Sequence, residues 1–131
     1  MLSFRQSGDG KMNDDGESVT LITCSGISNT GRLTSQAALI LIRRDPFTFE
    51  RHIPASKPPK TLEQAAGDAE RILVLDGCED CCARRKLAAI GIEPDVHVVA
   101  TAHGIEKNGM ADVQYHEIEM IVRIVRDVVR E

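Results

Sequence analysis

The stretch Leu73-Val-Leu-Asp-Gly-Cys-Glu-Asp-Cys-Cys-Ala83 constrains this chain more than any other. An apolar run stops at Asp76-Gly77, turns, and opens a helix-forming segment. That is the signature of a buried strand feeding a helix in a parallel sheet. Three of the four cysteines, Cys78, Cys81 and Cys82, gather at the junction. The fourth, Cys24, ends a second strand-like run, Val19-Thr-Leu-Ile-Thr-Cys24. Two strands that both end in thiols place a thiol-rich site on one edge of a sheet.

The rest of the chain alternates in the same way. Residues 1–17 are rich in Gly, Asp, Asn and Ser without a period and read as a flexible leader. The remainder, 18–131, reads as a single domain, long enough to bury a core. Strand 18–24 leads through the turn-rich Ser25–Gly31 to a helix over Arg32–Arg44, which stops before Asp45-Pro46. In 46–60, Phe47, Phe49 and Ile53 alternate with polar residues as in an edge strand, and Pro54, Pro58 and Pro59 deny a helix. Thr61-Leu-Glu-Gln64 has the pattern of a capping box and starts a helix to about Ala69. Strand 71–76 is followed by a helix over 81–90 with Gly91 at its C-terminus, a strand over 96–100 and a loop over 101–110. A last helix over 113–130, with Asp112 as its N-cap, carries the apolar stripe Ile118, Ile121, Val122, Val125 and Val129. The expected fold is α/β: a three-layer, Rossmann-like parallel sheet of about four strands with helices on both faces. Ligands of such sheets bind at the carboxyl ends of the strands. There Cys24, Cys78–Cys82 and Thr101–His103 converge.

Composition narrows the function. The net charge of −4 leaves no basic footprint, and a chain with one Tyr, three Phe and no Trp has no platform for stacking bases. Nucleic acid is therefore not the expected partner. No apolar run is long enough to span a membrane, and the first residues lack the apolar centre of a signal peptide. The expected setting is cytoplasmic and reducing, where clustered cysteines serve as metal ligands or redox groups rather than structural disulfides. A homo-oligomer formed through a sheet edge is compatible with the pattern. No sequence feature names a substrate or decides whether the chain is an enzyme.

The thiols carry the chemistry. Cys78 with Cys81 or Cys82 can grip one ion around the strand-to-helix turn, and Cys24 adds a third sulfur, a donor set suited to zinc. His103, just past a strand, and His52, in the middle segment, are candidate further ligands. His97 and His116 read as packed or surface imidazoles. Asp76 can orient a ligand from behind or cap its own turn. Ser25, Ser28, Asn29 and Gly31 form a loop that can present backbone N–H groups to a small anion or nucleotide, without the spacing of a P-loop. Cys78 and Cys81 also have the CxxC spacing of a thiol–disulfide exchange pair, the alternative to metal binding.

Cys24-Ser-Gly-Ile-Ser-Asn-Thr-Gly31, Asp76-Gly-Cys78 with a further cysteine at Cys82, and Gly104-Ile-Glu-Lys107 together resemble the DGC-domain proteins. The resemblance covers about residues 19–108. It implies zinc held by cysteines, at Cys24, Cys78 and Cys82 by position, and implies no reaction. One departure stands out: where that family carries a cysteine in the middle segment, this chain has His52-Ile-Pro-Ala-Ser56. His52 or the additional Cys81 would then make up the number, or the site would be left without its fourth protein ligand.

Overall fold

The computed structural model describes residues 17–130; the expected leader, save Glu17, lies outside them. Four strands form one all-parallel sheet in the order β2-β1-β3-β4, with β1 Val19–Thr23, β2 Phe49–Pro54, β3 Arg71–Asp76 and β4 Val96–Val99. The four helices are α1 Asn29–Arg44, α2 Pro59–Asp68, α3 Cys82–Ala89 and α4 Tyr115–Arg130. The architecture is the expected three-layer, Rossmann-like α/β fold. β1 and β3 lie at its centre and are buried almost throughout, while the half-polar β2 forms one edge.

Strand alternation divides the core. Val19, Leu21, Leu73, Leu75 and Val98 point to the face covered by α1 and α4, where Leu33, Ala37, Leu41, Ile118, Ile121, Val122 and Val125 meet them. Ile22, Ile72 and Val74 point to the other face, against Leu62 of α2 and Ala83 and Leu87 of α3. A bidentate ion pair from Arg44 to Glu119, at 2.9 and 2.7 Å, fastens the exposed sides of α1 and α4. Among the described residues no helix is long and apolar enough to cross a membrane.

Three helix starts differ from the sequence reading by two residues or more. α1 begins at Asn29, because Ser28 caps it by accepting from Gly31 N–H. α2 begins at Pro59 rather than at a capping box on Thr61; its N-cap is Pro58 and makes no side-chain cap bond. Proline is favourable at that first position, where its missing N–H has no helical partner to lose. α4 begins at Tyr115 and not after Asp112: Gln114 N–H donates to the Glu117 carboxylate at 3.1 Å, while the Glu117 and Ile118 amides return to Gln114 C=O. The expected 101–110 loop opens as a 3-10 turn, Ala100–His103.

Strand order places β1 beside β3, with their crossovers leaving in opposite directions. The β1–α1 loop and the β3–α3 turn therefore meet at the carboxyl edge. They meet backbone to backbone. A Cβ on Gly77 would lie 2.8 Å from Thr30 C and O, and one on Gly31 would lie 2.5 Å from Gly26 O. Gly67 on α2 has nothing within 4 Å of its Cβ position. Gly77→Ala is expected to lower stability by about 1–3 kcal/mol through forced backbone displacement. Gly67→Ala is expected to raise it by about 0.5–1 kcal/mol through helix propensity. Urea unfolding of the two variants beside the parent checks both signs.

Candidate metal centre

Asp76 ends β3 on the face that packs against α3 and is fully buried. Its Oδ1 accepts from Ala83 N–H at 2.9 Å and its Oδ2 from Arg84 N–H at 3.3 Å. These are first-turn amides of α3, which a helix cannot satisfy by itself. The residue at the N-cap position, Cys81, makes no side-chain cap bond. Asp76 therefore caps the following helix from the strand, rather than capping its own turn. Its negative charge also sits at the positive end of the α3 dipole.

The same carboxylate reaches the neighbouring strand. His97 Nε2–H donates to Asp76 Oδ2 at 2.8 Å. The register explains the contact: His97 pairs with Val74, two residues before Asp76, so the two side chains share a face. Cys81 completes the group. Its φ of 51° puts it in the left-handed region, which costs a non-glycine residue about 1 kcal/mol. One donor atom each from Asp76, Cys81 and His97 lies within 4.8 Å of the others, the trio of ligand-type side chains found so placed among the described residues. Burial, and then the charge of Asp76, push the Cys81 thiol above its ordinary value.

The other expected ligands are spread along the same edge. Cys24 packs against the α2/α3 core, and its Sγ accepts from Gly77 N–H at 3.3 Å, which ties the two central strands together beyond their ladder. Cys78 Sγ lies 3.7 Å from Asp80 Oδ2 and accepts from Lys107 Nζ at 3.6 Å. Cys82 is the exposed first residue of α3, and His103 is exposed in the 3-10 turn. His52 turns to the α1 face, where its Nε2 is hydrogen-bonded to Thr23 Oγ1 at 2.8 Å. Cys24, Cys78, Cys82, His52 and His103 do not close into a trio like that of Asp76, Cys81 and His97. The sequence reading took His97 for a packed or surface imidazole. The signal that could have found it is the parity of the short strand Val96–Val99, which faces His97 opposite to the core residue Val98.

The polar loop after β1 spends its groups internally. Ser28 Oγ caps α1. The Asn29 side chain donates to Glu106 C=O at 2.9 Å and accepts from Asn108 N–H at 2.7 Å, clamping the 106–108 segment onto α1. Ser25, the other non-glycine residue with positive φ, is hydrogen-bonded to Thr23 Oγ1 at 2.6 Å and to Ser35 Oγ at 3.0 Å. Gly31 serves close packing against Gly26. The four residues expected to receive an anion thus build the wall of the site.

A sequence profile of the DGC domain matches residues 20–125. Among curated proteins, the chain is similar to the anaerobic and virulence modulator AnvM of Pseudomonas aeruginosa, with 29% identity over 98 residues, 75% of each chain. No solved structure matches it significantly.

Two outcomes follow from the geometry. Asp76→Asn puts an amide N–H₂ against backbone donors and is expected to cost about 1–3 kcal/mol. Cys81→Gly relieves the left-handed strain and is expected to raise the stability of metal-free protein by up to about 1 kcal/mol; equilibrium denaturation measures both. Burial holds the His52 imidazole below its ordinary 6.5. The unfolded chain therefore takes up the proton first, and stability falls as the pH drops below about 6.5. In His52→Gln that part of the pH dependence disappears from the unfolding midpoints.

Proposed function

The chain belongs to the DGC-domain family, and on that premise we propose that it is a zinc-binding protein whose ion is nucleated by Asp76, Cys81 and His97. The observation that carries this reading is the approach of a carboxylate oxygen, a thiol sulfur and an imidazole nitrogen to within 4.8 Å of one another. Zinc accepts all three donor types, and a tetrahedral shell would hold them about 3.3–3.6 Å apart, so modest closure suffices. The set also disfavours hard cations, which take oxygen ligands almost alone. The fourth position falls to water or to a thiol of the adjoining Cys24, Cys78 and Cys82.

The protein's own groups define what such a centre would do. Asp76 is tied to α3 through Ala83 N–H, a bond that would keep its oxygens in place for an ion, and His97 beside it would supply the nitrogen donor. When bound, zinc would draw the Cys81 proton off and fix the thiol as a thiolate. Without metal, burial and then the charge of Asp76 disfavour the thiolate form of Cys81, the form that disulfide exchange uses. This favours metal over the exchange reading for the Cys78–Cys81 pair. The reading takes the compartment to be cytoplasmic and reducing, where the thiols stay available.

Protein purified without chelator is expected to carry about one zinc per chain, with X-ray absorption showing mixed sulfur and nitrogen or oxygen scattering at about 2.3 and 2.0–2.1 Å. Cys81→Ser and His97→Gln are each expected to lose most of the metal. Metal content in those variants equal to that of the parent, or only traces of zinc in all three, would overturn the assignment.

A further inference from the structure

Cys78 stands outside the trio, and its sulfur has a partner of different chemistry. Lys107 Nζ lies 3.6 Å from Cys78 Sγ and 3.9 Å from Asp80 Oδ2. We propose that Cys78 and Lys107 form an oxidative modification site, at which peroxide joins them through a covalent sulfur–nitrogen bond.

Both ends of the pair are held from behind. The residues on either side of Lys107 are pinned by the buried Asn29, Glu106 through its C=O and Asn108 through its N–H. The turn that carries Cys78 is closed by Cys81 N–H on Cys78 C=O at 3.0 Å, and Gly77 before it is fixed on Cys24 Sγ. These backbone contacts keep sulfur and nitrogen neighbours at 3.6 Å, the proximity that favours an intramolecular step over an intermolecular one. Of the two other thiols of the turn, Cys81 groups with Asp76 and His97, and Cys82 is the exposed first residue of α3.

The step balances with hydrogen peroxide as the named oxidant. A sulfur electron pair of Cys78 attacks one peroxide oxygen, the O–O bond breaks, and water leaves, giving the sulfenic acid. The Lys107 nitrogen, having released one proton to solvent, then attacks that sulfur. The S–O bond breaks and the hydroxyl departs as water with a second lysine proton. Thiol, ammonium and one peroxide become the S–N cross-link, two waters and one proton. A reducing thiol reverses it. The bond would staple the 104–110 segment across the β3–α3 turn, over the mouth of the carboxyl edge.

The full chain, freed of metal by chelator, is treated with a small excess of hydrogen peroxide, blocked, digested and mapped by mass spectrometry. The expected product is a peptide joining Cys78 to Lys107, at the summed mass of its parts less two hydrogen atoms, in most of the protein and reversed by dithiothreitol. Lys107→Arg keeps a cation beside the sulfur and is exposed enough to leave the unfolding midpoint unchanged; there the joined peptide is absent and Cys78 proceeds to the sulfinic acid. A Cys78–Cys81 or Cys78–Cys82 disulfide as the main product of the parent, with no joined peptide, overturns the proposal. Equal Cys78 products in parent and Lys107→Arg overturn it as well. Because no metal is present, neither result depends on the zinc assignment.

Discussion

The carboxylate of Asp76 is the interaction on which the carboxyl edge depends. A charge taken wholly out of water costs several kcal/mol unless it is met by donors inside. Here three donors converge from two directions: two amides that open α3 and one imidazole from β4. Each would itself be costly to bury unpaired. The carboxylate therefore joins strand, helix and neighbouring strand in one arrangement, and removing any member strands the others. It also explains why α3 can start on a cysteine with no capping side chain: the cap comes from the preceding strand, leaving the Cys81 sulfur available.

Gly77 does the complementary work in the backbone. Asp76 draws α3 toward the sheet end, and β1 next to β3 draws the β1–α1 loop to the same place. The two turns can both be there only if one has no side chain at the contact, which Gly77 provides, while Gly31 gives the β1–α1 loop room to close on Gly26. Cys24 then accepts Gly77 N–H, so the last residue of one strand run and the first turn residue of the other are hydrogen-bonded. The Asp-Gly-Cys sequence is thus three structural instructions in succession: cap the next helix, yield space to the neighbouring loop, and begin the thiol turn.

Much of the fold was legible because the strands are short, apolar and regularly spaced by helices. Arg71–Asp76 reads directly from its composition, and the edge character of β2 from its polar alternation around Phe49 and Ile53. Helix starts were harder. The pattern at Thr61 is a valid local signal, but Pro58-Pro59 already set a favourable first turn, and Asp112 lies too far from the first α4 residue that packs. The place of the candidate site was legible, and so were Asp76 and Cys81 among its residues, but His97 was not grouped with them. Converging strand ends are a matter of topology, which the strand–helix alternation reveals. The parity of Val96–Val99 gives the face of His97, but its pairing with Asp76 also needs the register between two strands joined through α3, which that local pattern does not encode. The loop after Cys24 shows a related gap: its composition gives donors and acceptors but not that Thr23 and Ser35 engage the Ser25 hydroxyl and the 106–108 backbone the Asn29 amide.

The strained backbone at Cys81 bears on why a sulfur belongs there. Glycine would occupy that left-handed position at lower energy and serve as an equally good N-cap. Asparagine would tolerate it better than cysteine as well. Cys81 is held against its own backbone preference, and burial and then the charge of Asp76 disfavour its thiolate. The arrangement makes physical sense if the sulfur is repaid by a ligand that reverses both costs: a cation that screens Asp76, takes the thiolate and fixes the turn. Strain of this kind persists where the surroundings over-determine it. Here the Asp76 cap on one side and the Cys78–Cys81 turn on the other leave the chain no route to relax without giving up α3.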